Sequence, residues 1–588
     1  MKHFLITIAG VLVGLFLFAF LAPIVFLGFL AAASRPAPTP DHAVLVLDLR
    51  GGLTDQPSSN PLAFLGGRSQ SVILIEETLR RAETDDRVRG LFVRLPETGI
   101  APGAADELRL AFKDFRAHGK FIAAHSQGLY AEGIVTSTYE LAAASGDVWM
   151  QPSSAFQVTG IANQDLFFKR AFDRYGVIAD YQQRYQYKNA VNPYLYDNYT
   201  PAHREAELGW MTSVYETAIA DVAADRNQPA DAVKALIEAG PYSAEDALAK
   251  GLIDHVGEVK DAESALLAKA GDGAKLVRFS DYADRLARRG GAGPKVAVIS
   301  AEGAIMTGRG GGASPLGGEQ VIHSDDISKA FYDAIDDKQV KAIVFRVSSP
   351  GGSDTASEQI LAAVRAARAA GKPVVVSMGV YGASGGYWIA SDANEIVAEP
   401  STLTGSIGVF GGKFVIGPAL AKFGVDMRGL SVGGQFADMG SAAQPMTPTQ
   451  RAAFSAWMDK IYNGFVASVA QGRRMPLARV AQIARGRVWT GAQAKGLGLV
   501  DELGGFYQAV ERAKTLAGIS GEARLETFGP AATALEALQR LLGLQTLAAR
   551  LTGIDLAADP EGRALLAAAA DARLRSEGAT VLAPSPFR

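Results

Sequence analysis

Ser384 sits in Gly382-Ala383-Ser384-Gly385-Gly386, a turn whose glycines leave its hydroxyl uncrowded. A serine hydroxyl attacks a carbonyl only when a neighbouring base removes its proton. The pattern formally satisfies G-x-S-x-G, whose hydrolase form needs an acid and then a histidine later in the chain. The last of the seven histidines is His323, so that arrangement is excluded. His125 or His203 could still reach the serine from the N-terminal half. A lysine amine could serve instead, provided burial lowers its pKa toward working pH. Lys188 is the lysine candidate. It lies in Tyr185-Gln186-Tyr187-Lys188-Asn189-Ala190-Val191-Asn192-Pro193-Tyr194-Leu195-Tyr196, whose four tyrosines, with Tyr181 just before them, could shield it.

Acyl transfer also needs donors for a tetrahedral oxyanion. Arg346-Val347-Ser348-Ser349-Pro350-Gly351-Gly352-Ser353 follows a predicted strand. A Pro-Gly-Gly turn there lets bare backbone N–H groups approach a substrate.

The elements that must position these groups repeat. Ala43–Leu53 matches Lys295–Ile305, and Leu91–Leu95 matches Ile343–Val347, both at an offset of 252. Tyr175-Gly176-Val177 meets Phe423-Gly424-Val425 at 248, and Gly251–Asp254 meets Gly498–Asp501 at 247. An offset this steady is far longer than a solenoid period and marks tandem domains. Glu132 stands opposite Ser384, and Phe436 opposite Lys188. Each half therefore keeps one member of the candidate pair, and neither half is an enzyme alone.

In each half, apolar runs with strand character alternate with helical stretches. The runs are Val44–Leu49, Leu91–Leu95 and Phe121–Ala124, then Val296–Ile299, Ala342–Val347 and Val374–Ser377. Helices are predicted at Ile73–Glu83, Ala104–His118, Ser324–Asp336 and Asp354–Ala370. That alternation predicts an α/β fold with mostly parallel sheets. Gly308–Glu319 reads as a flexible surface loop with no phosphate-cradle signature, since neither Gly-Lys-Ser/Thr nor a helix start follows.

The chain has 588 residues, a net charge of −3 and no cysteine. The charge argues against a nucleic-acid partner. Without cysteine there is no disulfide framework, thiol nucleophile or cysteine metal site. Residues 4–33 carry no charge. A cleavable signal has an apolar core of only ~7–15 residues, so this longer run reads as an uncleaved membrane anchor. Lys2 and the free amino terminus favour a cytoplasmic start, with the rest of the chain outside the cytoplasm. The expected organisation is an anchor at 1–33, an N-terminal domain at 34–290 that opens on a Pro-rich tether, a C-terminal domain at 291–525, and an Ala- and Leu-rich helical extension at 526–588.

Arg346–Ser353 (RVSSPGGS), Tyr381–Trp388 (YGASGGYW), Ser401–Phe410 (STLTGSIGVF) and Tyr187–Tyr194 (YKNAVNPY) resemble the signal peptide peptidase A family, also called protease IV, in its long tandem form. The four motifs fall in the family's chain order, and the resemblance covers roughly residues 43–520. It implies two tandem crotonase-like (Clp-protease-like) domains and a Ser/Lys dyad without cofactor or metal. On that match Ser384 is the nucleophile and Lys188 the general base. Gly385, with Gly351 or Gly352, lines the oxyanion hole, and Ser406 orients the lysine amine. The implied reaction is endoproteolysis of remnant signal peptides by a membrane-anchored ring, tetrameric in the tandem form, in the inner membrane and facing the periplasm. Ser348-Ser349 stands where Asn-Ser is usual, and Asn189 where Ser is common; neither removes a catalytic group. The alternatives are a crotonase-type acyl-CoA enzyme and a non-catalytic membrane scaffold.

Overall fold

A computed structural model describes residues 38–56, 70–286, 293–310, 320–529 and 581–582. The expected anchor, most of the glycine-rich 308–319 loop and nearly all of the C-terminal extension lie outside the described residues. Among the described residues, no helix is long and apolar enough to cross a membrane.

Each half is built on a twisted parallel sheet. In the N-terminal half the strands lie in the order His255–Val256, Val148–Met150, Phe121–Ser126, Val88–Arg94, Ala43–Asp48, Lys275–Arg278. The C-terminal sheet holds the equivalents in the same order: Glu502–Leu503, Glu395–Ala398, Val374–Ala383, Val340–Ser349, Lys295–Glu302, Arg524–Phe528. Pairing within both sets is parallel. Spatial order thus repeats along with sequence, as a duplicated fold requires.

The predicted strands are present, the first shifted by one residue to Ala43–Asp48 and the other five with longer bounds. Val88–Arg94 and Phe121–Ser126 span seven and six residues, whereas their C-terminal counterparts Val340–Ser349 and Val374–Ala383 span ten each. The extra residues carry Ser348-Ser349 and Tyr381-Gly382-Ala383 to the edge of the site. Central strands read as unbroken apolar runs because helices cover both faces. Leu91, Phe92 and Val93 are fully buried, as are Ile343, Val344 and Phe345. The four predicted helices are observed at Val72–Glu83, Pro102–Ala117, Ser324–Asp336 and Asp354–Ala369. Each half adds a 25-residue helix, Pro201–Asp225 and Pro448–Gly472, capped by Thr200 and Thr447.

The halves are clamped together in two ways. Strand Ile178–Arg184 of the first half pairs antiparallel with Val409–Val415 of the second, running from Val409 opposite Arg184 to Val415 opposite Ile178. Deeper in the seam, the Arg346 guanidinium donates to Asp55 (Nε–Oδ2 3.0 Å) and to Glu107 (2.6 and 3.1 Å), with Ser377 Oγ at 2.8 Å. Arg346 is 1% exposed, and both carboxylates come from the other half. A buried charge persists only when paired and hydrogen-bonded, so this contact demands that the halves dock.

Candidate active site

Ser384 stands where strand Val374–Ala383 turns into helix Gly385–Ala390. Its backbone is at φ 55° and ψ −117°, a conformation that a residue with a Cβ adopts only under constraint. The constraint is visible: its N–H donates to the Gly405 carbonyl at 2.8 Å, and its carbonyl accepts from Trp388 N–H at 2.9 Å.

Lys188 enters from the other half. Its Nζ lies 2.7 Å from Ser384 Oγ, 2.9 Å from Ser406 Oγ and 3.1 Å from the Ser406 carbonyl. Lys188, Ser384 and Ser406 are all fully buried. Burial holds the Lys188 amine well below the ordinary lysine range. No carboxylate is among its bonded partners, so nothing opposes that desolvation. A neutral amine accepts a proton, which an ammonium does not.

The loop Arg485–Arg487 fixes this geometry. The Arg485 carbonyl accepts the N–H groups of Tyr185 and Tyr187, each at 3.2 Å. The Arg487 carbonyl accepts Ser406 N–H at 2.7 Å, and Gly486 N–H donates to Ile407 at 2.8 Å. One loop therefore positions both the lysine segment and Ser406. Nothing in its sequence signals this; it works through backbone atoms of three distant segments.

The glycines converge beside the serine. A Cβ on Gly385 would stand 3.0 Å from Gly352 N and 3.1 Å from Gly351 Cα, so these backbones approach too closely for side chains. The Gly351 N–H donates to Ser349 Oγ at 3.2 Å. As the first residue of its helix, Gly385 has an N–H with no intrahelical acceptor. Gly351–Gly352 also pairs antiparallel with strand Val581–Leu582, part of the expected C-terminal extension.

The two candidate histidines lie elsewhere. His125 Nε2 is 3.1 Å from the Gly257 carbonyl, and its ring packs edge-on to Phe92. His203 sits beside Asp165, Glu207, Phe167 and Tyr199. Neither is bonded to Ser384. The equivalent cleft of the first half is closed by its own backbone: Tyr130 N–H reaches Glu97 and Gly99 N–H reaches Glu132, each at 2.8 Å. Glu132 and Phe436, the counterparts of Ser384 and Lys188, are both exposed.

Asp106, Glu140 and Asp221 bring ligand oxygens within 4.8 Å of one another, a grouping that could hold a metal ion. It lies away from the serine, beneath Ser401, and Arg109 already meets Asp221 at 3.0 Å.

An α/β scaffold that buries a serine hydroxyl against a lysine amine, with no histidine bonded to either, has the architecture of a serine hydrolase. The chain belongs to peptidase family S49, whose family model matches residues 128–272 and 366–520, just over half of its length. Protease 4 of Salmonella typhi is 35% identical over 501 residues, covering 81% of this chain and 78% of that protein. Protease 4 of Haemophilus influenzae is 30% identical, covering 86% of each. The chloroplastic serine protease SPPA of Arabidopsis thaliana is 28% identical, covering 81% of this chain and 69% of that protein. The protein is therefore a serine peptidase, which removes the acyl-CoA and scaffold alternatives.

Proposed function

We propose that this protein is a membrane-anchored endopeptidase that degrades cleaved signal peptides in the cell envelope. Ser384 is the nucleophile and Lys188 the general base. The observation that carries the assignment is the 2.7 Å contact between Nζ and Oγ in a fully buried, carboxylate-free pocket. Ser384 Oγ attacks the scissile carbonyl while Lys188 Nζ takes its proton. The tetrahedral oxyanion accepts hydrogen bonds from the N–H groups of Gly385 and of the Gly351–Gly352 strand. Gly352 suits this role better than Gly351, whose N–H is engaged by Ser349. The resulting ammonium passes its proton to the leaving amine. Water, deprotonated by Lys188, then hydrolyses the acyl-enzyme. Ser406 keeps the amine directed at Oγ through both steps.

The substrate is an extended peptide added as a strand at Gly351–Gly352. Support comes from Val581–Leu582, an extended segment that lies antiparallel on that edge. Signal peptides are suggested by the relative from Enterococcus faecium named signal peptide peptidase SppA, 28% identical over 235 residues. The uncharged run at 4–33 supports a single-pass anchor in the inner membrane, with the two crotonase-like domains on the periplasmic side and the chain assembled as a homo-oligomeric ring, tetrameric by family resemblance. Hydrolysis of a synthetic signal peptide by wild type, Ser384→Ala and Lys188→Ala tests the proposal. Both variants should lose turnover; full activity in either refutes the dyad.

A further inference from the structure

The loop that fixes Lys188 and Ser406 is itself tied to the first half through a side chain. Arg487 forms an ion pair with Glu205 on helix Pro201–Asp225. Its guanidinium lies over the Trp489 ring at 4.3 Å and over the Tyr187 ring at 5.1 Å. Tyr187 Oη donates to the other Glu205 oxygen at 2.9 Å. An exposed ion pair alone holds little. Here the Glu205 side chain is 54% exposed, but that of Arg487 is only 19% exposed, and its cation faces two rings, which anchors it further. Four and eight residues along the same helix, Gln493 Nε2 donates to the Gly209 carbonyl at 3.0 Å and Ser213 Oγ meets Thr490 Oγ1 at 2.8 Å. Positions four apart share one face of a helix, so one face of the first half grips the segment that follows Gly486.

Each part of this arrangement supports a different group of the site. Tyr187 adjoins Lys188 in the chain. The Arg487 carbonyl accepts Ser406 N–H at 2.7 Å. Trp489 belongs to strand Val488–Thr490, which pairs with Leu403–Gly405, and the Gly405 carbonyl accepts Ser384 N–H. The duplication holds no second copy. Thr200 and Thr447 cap matching helices, as do Ser243 and Thr490, both at an offset of 247. That offset places Gly240 opposite Arg487 and Ala452 opposite Glu205. The offset of 248 that sets Phe436 opposite Lys188 sets Gln435 opposite Tyr187. The counterpart positions hold neither ring, cation nor carboxylate.

We infer that Arg487, Glu205 and Tyr187 form a latch across the seam that positions Lys188 against Ser384 and Ser406. This rests on the dyad proposed above. The three are positioning residues, since none of them is bonded to the Ser384 hydroxyl or the Lys188 amine. The latch lies near the surface, whereas the amine that it serves is fully buried. Opening it admits water to the amine and returns the Lys188 pKa toward its ordinary value. The neutral base then forms only at higher pH. In the wild type, hydrogen bonds from Tyr187 and then Arg487 hold the Glu205 carboxyl below the ordinary range, so the latch stays closed at neutral pH.

The test measures kcat and KM of the full chain in detergent on a fluorogenic peptide across pH, with circular dichroism confirming each fold. Arg487→Met should lower kcat about tenfold, leave KM within about twofold, and move the acid midpoint of kcat/KM upward by about one unit. Glu205→Ala, a change on an exposed helix face, should shift both readouts the same way by less. Arg487→Lys should recover part of the loss through its charge. Arg512→Met, which breaks the ion pair with Glu395 within the second half, should change neither. Wild-type kcat and midpoint in Arg487→Met and Glu205→Ala overturn the latch. So does a lower kcat with an unmoved midpoint, which marks a purely structural contact. Where Arg487→Met does not fold, Glu205→Ala decides by the same two readouts. Full activity in Lys188→Ala overturns the dyad itself and the latch with it.

Discussion

Gly486 governs the position of Lys188 more directly than any side chain does. It takes φ +83°, and a Cβ there would lie 2.6 Å from both the Cβ and the amide nitrogen of Lys188. Carbon contacts settle at about 3.5 Å, so in Gly486→Ala the Lys188 backbone must retreat by about 0.9 Å. Transmitted to the amine, that retreat stretches the 2.7 Å contact with Ser384 Oγ to about 3.6 Å, outside hydrogen-bond range. Misplacing a catalytic group by about 1 Å lowers turnover on the order of 10²-fold, or about 2.7 kcal/mol of barrier. The same substitution strains the left-handed backbone by about 1 kcal/mol. Gly371→Ala separates the two effects, because Gly371 has φ +77° but nothing within 4 Å of its would-be Cβ. The assay is kcat on a fluorogenic peptide, with circular dichroism confirming the fold. Gly486→Ala should lose about two orders of magnitude while Gly371→Ala keeps wild-type kcat. If Gly486→Ala stays within about threefold of wild type, or Gly371→Ala falls equally, the steric argument is wrong.

Lys188→Met should abolish turnover yet raise the melting temperature by a few degrees, since the buried lysine is held neutral against its preference. The sign follows from linkage: the native state binds fewer protons here, so wild-type stability rises with pH until the unfolded pKa of about 10.4. The gap between variant and wild type should therefore narrow from pH 6 to pH 10 in scanning calorimetry. Arg346→Met should cost about 3–5 kcal/mol in urea unfolding, because Asp55 and Glu107 are left buried without a cation. Glu302 acts in the opposite sense to Lys188. Burial, then the Asp55 carboxylate, push its pKa up to about 7. The native state thus holds an extra proton, and its stabilising contribution is lost as pH rises from about 4.5 to 7, by up to ~3 kcal/mol. Glu302→Gln should flatten the fall in melting temperature between pH 5 and pH 8, and an unchanged slope would count against the assignment.

The alternation of apolar runs and helical stretches was enough to foresee the parallel sheets, because buried strands and covering helices impose their own periods. Ser384 was legible for a local reason, since a hydroxyl between glycines at a strand's end signals a tight turn. Lys188 was not legible from its own segment. Its significance lies in burial, which depends on contacts with residues 406 and 485–487 that no local pattern encodes. Asp55 and Glu107 were missed likewise: each looks like an ordinary surface carboxylate until the seam closes over Arg346. The pairing of Ile178–Arg184 with Val409–Val415 escaped notice because Asp180, Gln182 and Gln183 break the apolar alternation that announces a strand.

The division of the site across the seam also has a consequence in time. The half that carries Lys188 leaves the ribosome before the half that carries Ser384. Until the second half folds against it, the amine is in water, protonated and unable to accept a proton. The proposed nucleophile, when it arrives, has no base until Arg346 has found Asp55 and Glu107. On the proposed dyad, the enzyme is thus silent throughout its own synthesis. Completion of the fold is the activation step, and an incompletely folded chain cannot digest its neighbours.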